Sequence, residues 1–341
     1  MALLILELVG GLVVLSVGGE CLVRGAARLA RSLGVSALAV GLTIVAFGTS
    51  APEIAVSISA GVQQHDDLAI ANVVGSCILN TLVVLGLAAV TRPLRVSRSV
   101  VRTDAPFMIL VLALFTFFAV DDVGLLAGGK NNGLIGYWEG ILFIAGLIAY
   151  VALTYHGARR QPQVVEAEYE QSIGPVRASA VNVMLVLVGL VGLVFGADLM
   201  VEGGTGIARS VGISERIIGL TIFAIGTSLP EVATCVIAAR RGQPDIAVGN
   251  VVGSNIFNVL AVIGIATTAH PAGALTVNWT ILSHDVPVML VAAVLLFPIL
   301  RTGRHISRRE GTLLLALYVG YLTWALLATQ TGATVASAPA R

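Results

Sequence analysis

The segment Gly41-Leu42-Thr43-Ile44-Val45-Ala46-Phe47-Gly48-Thr49-Ser50-Ala51-Pro52-Glu53 returns as Gly219-Leu220-Thr221-Ile222-Phe223-Ala224-Ile225-Gly226-Thr227-Ser228-Leu229-Pro230-Glu231, 178 residues later. At the same offset Asn72-Val73-Val74-Gly75-Ser76-Cys77-Ile78-Leu79-Asn80 returns as Asn250-Val251-Val252-Gly253-Ser254-Asn255-Ile256-Phe257-Asn258. An internal repeat of this kind limits the fold to two copies of one unit. Each copy also sets a glutamate among apolar residues, where an unpaired charge is expensive and its presence points to use. The repeat reaches upstream, where Gly18, Glu20 and Gly25 align with Gly196, Asp198 and Gly203. Downstream, Asp104-Ala105-Pro106 resembles Asp285-Val286-Pro287 at an offset of 181.

The repeat lies in a membrane protein. Charged residues make up 11% of the chain, against about 25% in soluble domains, and the mean hydropathy is +0.94. The net charge of +1 gives no reason to expect a nucleic-acid partner. Cys21, Cys77 and Cys235 form no C-x-x-C pair, so neither a disulfide framework nor a zinc site is indicated. The start of the chain reads as a first transmembrane helix rather than a signal peptide.

Ten apolar runs approach the roughly 20 residues a spanning helix needs. They lie near 3–23, 36–61, 69–90, 105–120, 134–154, 180–201, 214–239, 246–267, 280–300 and 311–328. The expected fold is an all-α integral membrane protein of ten transmembrane helices. Basic residues crowd the loops after the first, third, fifth, seventh and ninth spans, from Arg24 through Arg92, Arg159 and Arg240 to Arg301. The alternate side holds only Lys130, Arg209, Arg216 and Arg341. Basic loops stay cytoplasmic, so both termini are expected outside the cell membrane. With five spans per half, the second half must be inserted upside down relative to the first. The chain divides into a repeat at 1–154, a short cytoplasmic linker at 155–178 and an inverted repeat at 179–341. Inverted repeats with interrupted polar helices are the pattern of alternating-access transporters. A channel, built by repeating subunits around a pore, suits this pattern less. The chain contains no H-E-x-x-H or G-x-S-x-G motif to suggest an enzyme.

The repeated blocks supply oxygen. On a helix Thr49 and Ser50 share a face with Glu53, and Pro52 frees the carbonyl of Gly48; Thr227, Ser228, Pro230 and Glu231 repeat the arrangement. Ser76 and Asn80 are four residues apart, as are Ser254 and Asn258, and Asn72 and Asn250 extend the same rows one turn earlier. Two carboxylates with hydroxyls, amides and freed carbonyls suit a hard cation such as Ca2+, whereas softer metals would call for histidine or thiolate. Glu53 and Glu231 together carry about two negative charges, which one Ca2+ or two monovalent cations would neutralise. Two bare carboxylates resist desolvation, so the site should cross the membrane loaded and exchange one ion for another.

These blocks resemble the two alpha-repeats of the sodium/calcium exchanger family, within the cation/calcium antiporter superfamily. The resemblance rests on Gly48-Thr49-Ser50-Ala51-Pro52-Glu53 with Gly75-Ser76, and on Gly226-Thr227-Ser228-Leu229-Pro230-Glu231 with Gly253-Ser254-Asn255. It implies that Glu53 and Glu231 are shared Ca2+ and Na+ ligands. Thr49, Ser50, Thr227 and Ser228 would add hydroxyl or backbone oxygens, and the carbonyls of Ala46 and Ala224 would serve outlying Na+ sites. Ser76, Asn80, Ser254 and Asn258 would complete the central cluster, and the first and sixth helices would slide as a pair. Asn258 stands where some members, including potassium-dependent ones, carry aspartate, which argues against K+ dependence. Proton-coupled relatives usually follow the glutamate with histidine; here Ile54 and Val232 follow. The resemblance therefore implies Na+/Ca2+ exchange in the bilayer with no cofactor, and a monomer is sufficient. The alternative is a Ca2+/H+ or other cation/proton antiporter.

Other acids read as structural. Asp67 and Asp245 are expected to cap helices, Asp66 to lie in a solvated loop, Glu20 and Asp198 to anchor helix ends, and Asp104 and Asp285 to begin the fourth and ninth spans.

Overall fold

The computed structural model describes residues 2–121, 132–160, 179–211 and 224–336. Part of the second repeated block (219–223), most of the 155–178 linker, and Lys130, Arg177, Arg216 and Arg341 lie outside the described residues.

The helices are α1 (Ala2–Leu33), α2 (Ala37–Thr49), α3 (Ala51–Val62), α4 (Asp66–Thr91), α5 (Val100–Val120) and α6 (Tyr137–Arg160). They continue with α7 (Ser179–Ser210), α8 (Leu229–Arg240), α9 (Pro244–Ala269), α10 (Ile281–Arg301) and α11 (Arg308–Ala336). Among the described residues seven helices are long and apolar enough to cross a membrane, or eight if the bent pair α2–α3 is one span. The protein is thus a mostly helical, multi-pass membrane protein.

α1 and α7 each run for 32 residues, past the ends of the expected spans. Arginine is a good helix former, so Arg24, Arg28 and Arg31 extend α1 rather than stop it. At 1.5 Å per residue each helix is about 48 Å long, well beyond a hydrocarbon core of about 30 Å, so it tilts or projects. The two pack backbone to backbone. A Cβ on Gly11 would lie 2.7 Å from the Met200 nitrogen, and one on Gly18 2.7 Å from the Leu193 nitrogen. Partner numbers fall as glycine numbers rise, so the helices are antiparallel, joined by the small-residue contact that lets helices approach in lipid. Their outer faces carry exposed Leu6, Val13, Leu187 and Val191, apolar surface that only lipid or another apolar body would cover.

At the centre α9 is buried continuously from Ile246 to Gly264, and α4 along most of its length. Single π-helical turns interrupt the helices at matching places. Asn80–Val84 matches Asn258–Ile263, and Val100–Asp104 matches Ile281–Asp285. In the second pair the cause is a proline. Pro106 and Pro287 donate no N–H, and the amides just before them, Ala105 and Val286, reach back five residues to Val100 and Ile281. Asp104 therefore lies one turn inside a helix and is buried, rather than at the start of one.

The links between helices are not wholly irregular. β1 (Leu94–Arg95) pairs with β4 (His305–Ile306), and β2 (Gly133–Gly136) pairs with β3 (Ala274–Val277), both antiparallel. Each ladder joins a link of one half to a link of the other, a feature absent from the all-α expectation. The arginine-rich links gather at one end. Arg92 Nη1 donates to the Arg240 carbonyl at 3.3 Å, and Arg98, Arg102, Arg301 and Arg304 line one concavity. At the same end Glu20 of α1 pairs with Arg24 at 2.6 Å and with Arg241 beyond α8.

Candidate cation-binding site

The bend that makes the site is local in origin. Ser50 leaves helical geometry (φ −81°, ψ 8°) between α2 and α3, which diverge by 49°. Pro52 sits in the first turn of α3, where its missing N–H does no harm. Ser228 repeats the break (φ −93°, ψ 8°) ahead of α8 and Pro230. Both glutamates consequently fall in the first turn of a helix, where the N-terminal end of the macrodipole favours negative charge.

The two breaks face each other. Ser50 Oγ donates to Glu231 Oε1 at 3.0 Å, and Ser228 Oγ donates to Glu53 Oε1 at 3.0 Å. Under the 178-residue offset each bond maps onto the other. Glu53 and Glu231 are each 1% exposed, and among the described residues neither meets a basic side chain. Ser76 Oγ lies 3.4 Å from Ser228 Oγ, and the hydroxyls of Thr49 and Ser254 face Glu231 while that of Thr227 faces Glu53.

Several buried oxygens in this cluster have no hydrogen-bond partner among the described residues: Glu53 Oε2, Glu231 Oε2, Asn80 Oδ1, Asn258 Oδ1, Ser254 Oγ and Thr227 Oγ1. Buried polar groups are ordinarily satisfied. Four of these, Glu53 Oε2, Glu231 Oε2, Thr227 Oγ1 and Ser254 Oγ, belong to the groups that face one another here, and two carboxylates with hydroxyls suit a hard cation.

The structure thus brings Thr49, Ser50, Glu53, Ser76, Thr227, Ser228, Glu231 and Ser254 together, with Asn80 and Asn258 opening the π-turns of α4 and α9. Ala46 is buried and its carbonyl accepts from the Ser50 amide at 3.1 Å. Ala224 opens a three-residue helical turn, Ala224–Gly226.

Asparagines outside the expected ligand set brace the site. Thr49 Oγ1 donates to Asn250 Oδ1 at 3.0 Å, and Asn250 Nδ2 reaches Cys235 Sγ at 3.3 Å. Asn72 Nδ2 donates to Ser57 Oγ at 2.8 Å and to the Glu53 carbonyl at 3.3 Å. Their place one turn before Ser76 and Ser254 is the signal that marks them. Asn255, where the first copy has Cys77, donates to Thr81 Oγ1 at 2.9 Å.

Other expectations need correction. The cap positions of α4 and α9 are His65 and Gln243, not Asp67 and Asp245. Asp66 is not a free loop residue: Oδ1 lies 3.1 Å from His270 Nε2, and Oδ2 accepts the Thr276 amide at 2.8 Å. Both partners are distant in sequence, so local patterning could not have indicated them.

The profile of the sodium/calcium exchanger protein family matches residues 3–156 and 181–327. The chain belongs to the sodium/calcium exchanger family. Membership makes it a cation/Ca2+ antiporter and not an enzyme. The putative antiporter CaxA of Alkalimonas amylolytica is 37% identical over 316 residues, covering 91% of this chain and 95% of that one. The sodium/calcium exchanger MaX1 of Methanosarcina acetivorans is 34% identical, with 92% and 95% covered. Among solved structures, the sodium-calcium exchanger NCX_Mj soaked with Na+ and Sr2+ superposes with a TM-score of 0.78 at 28% identity, covering 94% of this chain and 98% of that one.

Proposed function

We propose that the protein is a secondary active antiporter that exchanges Na+ for Ca2+ by alternating access, through one midplane site built on Glu53 and Glu231. The observation that carries this reading is the reciprocal pair of serine–glutamate bonds, set among buried oxygens without partners, two of them carboxylate. In this reading Ca2+ is held by both carboxylates with oxygens of Thr49, Thr227, Ser76 and Ser254. Na+ ions use the same carboxylates with Ser50, Ser228, Asn80 and Asn258 and the carbonyls of Ala46 and Ala224. The cargo cancels the paired negative charge, so the loaded site crosses and the bare one does not. Sodium rather than proton coupling is favoured because Ile54 and Val232 follow the glutamates, and because relatives such as MaX1 are named sodium/calcium exchangers.

The architecture proposed to carry this cycle has ten spans in two inverted five-helix repeats, 1–154 and 179–341, joined by the 155–178 linker. The bent α2–α3 span and the antiparallel glycine contact of α1 with α7 support it. Both termini lie outside the plasma membrane, with the arginine-rich end in the cytoplasm. The α1–α7 pair moves against the rest, and a monomer suffices because one chain supplies both glutamates.

The test is 45Ca2+ uptake into proteoliposomes. An outward Na+ gradient should drive it and a pH gradient alone should not; uptake driven only by the pH gradient would overturn the coupling assignment. Glu53→Gln and Glu231→Gln should each abolish exchange while leaving thermal unfolding close to that of the parent, and wild-type flux in both would remove the site from this place.

A further inference from the structure

A second cavity, of about 280 Å3, lies away from the glutamates between α2, α5 and α6, at the arginine-rich end. Its polar lining is Asp104, Tyr150 and the hydroxyls of Ser36, Ser99, Thr103 and Thr154, and of these Asp104 and Tyr150 are more than nine-tenths buried, at 7% and 5% exposed. Ser99 faces Asp104 and Thr154 faces Tyr150, yet neither Asp104 Oδ2 nor Tyr150 Oη has a partner within hydrogen-bond geometry among the described residues. The other half of the molecule provides the comparison. Asp285, the repeat mate of Asp104, accepts a 2.8 Å bond from the Tyr321 hydroxyl, which closes that acid internally. In the first half the acid and the phenol are separate and a cavity stands beside them.

An unsatisfied buried carboxylate is costly, so the geometry asks for an occupant that donates hydrogen bonds and carries positive charge. The remaining walls decide its class. Leu38, Leu42, Phe107 and Leu153 form an apolar wall beside the hydroxyl-bearing one, and a lining divided in this way fits a ligand with both a charged donor head and methylene groups. We propose that this cavity binds an organic primary ammonium group, whose N–H donors reach Asp104 Oδ2 and Tyr150 Oη while its carbon chain lies along the apolar wall. The group could be supplied by a free alkylamine or by the headgroup of an ethanolamine phospholipid. The site is independent of the exchange reading, because it shares no residue with the glutamate cluster.

The experiment uses the full chain in phosphatidylcholine nanodiscs, with tetramethylammonium as the background cation and no Na+ or Ca2+. Ethylammonium is titrated by calorimetry, and phospholipid retained from discs containing phosphatidylethanolamine is counted by native mass spectrometry. Saturable ethylammonium binding is expected, weakened at least about tenfold by Asp104→Asn, the scale of losing one charged hydrogen bond. Gly157→Leu should weaken it similarly by plugging the cavity, since Gly157 lines it and a Cβ there meets nothing within 4 Å. Both variants should keep wild-type Ca2+ affinity, and Glu53→Gln should keep ethylammonium binding, so failure of one site is distinguishable from failure of the other. Retained phosphatidylethanolamine that is lost in Asp104→Asn identifies the lipid source; binding of ethylammonium without it identifies a soluble amine. Equal binding by wild type and Asp104→Asn, no saturable binding of either probe, or displacement of ethylammonium by Na+ in Glu53→Gln would each overturn the proposal.

Discussion

Ser50 and Ser228 each serve the glutamate of the opposite half, and this crossing sets how the site responds to substitution. Ser50→Ala removes a donor from Glu231, and Ser228→Ala removes one from Glu53. Each should weaken Ca2+ binding by about tenfold, the scale of a hydrogen bond to a charged group. The double variant should depart from additivity, because both serines act on one cluster; calorimetry of Ca2+ binding to the four proteins of the cycle measures the departure. Sequence reasoning reached the membership of this cluster, since spacing puts Thr49, Ser50 and Glu53 on one face. It did not reach the partners. Within one copy Ser50 lies three residues from Glu53, yet its hydroxyl goes to a carboxylate 181 positions away. Asn250, which holds Thr49, was visible as part of a polar row but its role depends on how two distant helices meet.

Helix breaks and helix contacts carry the next level. The break at Ser50 was legible in Pro52, and so was the polar interior of the bent span. The π-turns at Asn80–Val84 and Asn258–Ile263 were not, because no proline marks them. The α1–α7 contact gives a direct prediction. A Cβ on Gly189 would lie 2.5 Å from the Leu22 nitrogen, whereas one on Gly10 meets nothing within 4 Å. Gly189→Ala should therefore destabilise the protein by about 1–3 kcal/mol, as overpacking does, while Gly10→Ala, at an open position, should leave it unchanged or slightly more stable. Thermal unfolding of the two variants in the same detergent makes the comparison.

Across the whole molecule the halves are copies but their ends are not equivalent. At the arginine-rich end Glu20 ties α1 to Arg241. The mates of these residues under the offset are Asp198 and Gln63, and Gln63 bonds within its own helix to Ser59 at 2.8 Å. Gln63 is uncharged, so this pair of mates cannot repeat the ionic tie. Glu20→Gln should raise deuterium exchange around residues 18–28 by up to about fivefold, since a half-exposed ion pair contributes about 1 kcal/mol at most. Asp198→Asn should leave its own end unchanged; equal effects at both ends would show the tie to be incidental. The gathering of basic loops at one end was readable from the positions of the arginines alone. The two ladders between links were not, because each pairs segments from opposite halves.

The crossed serine–glutamate bonds also bear on ancestry. Each half holds a carboxylate whose serine donor belongs to the other, so a chain of half this length would lack that bond. Two such chains lying head to tail would complete both bonds at once. The crossed bonds therefore require both units, and within one polypeptide the two copies can differ. Cys77 and Asn255, or Gln63 and Arg241, are places where they have done so.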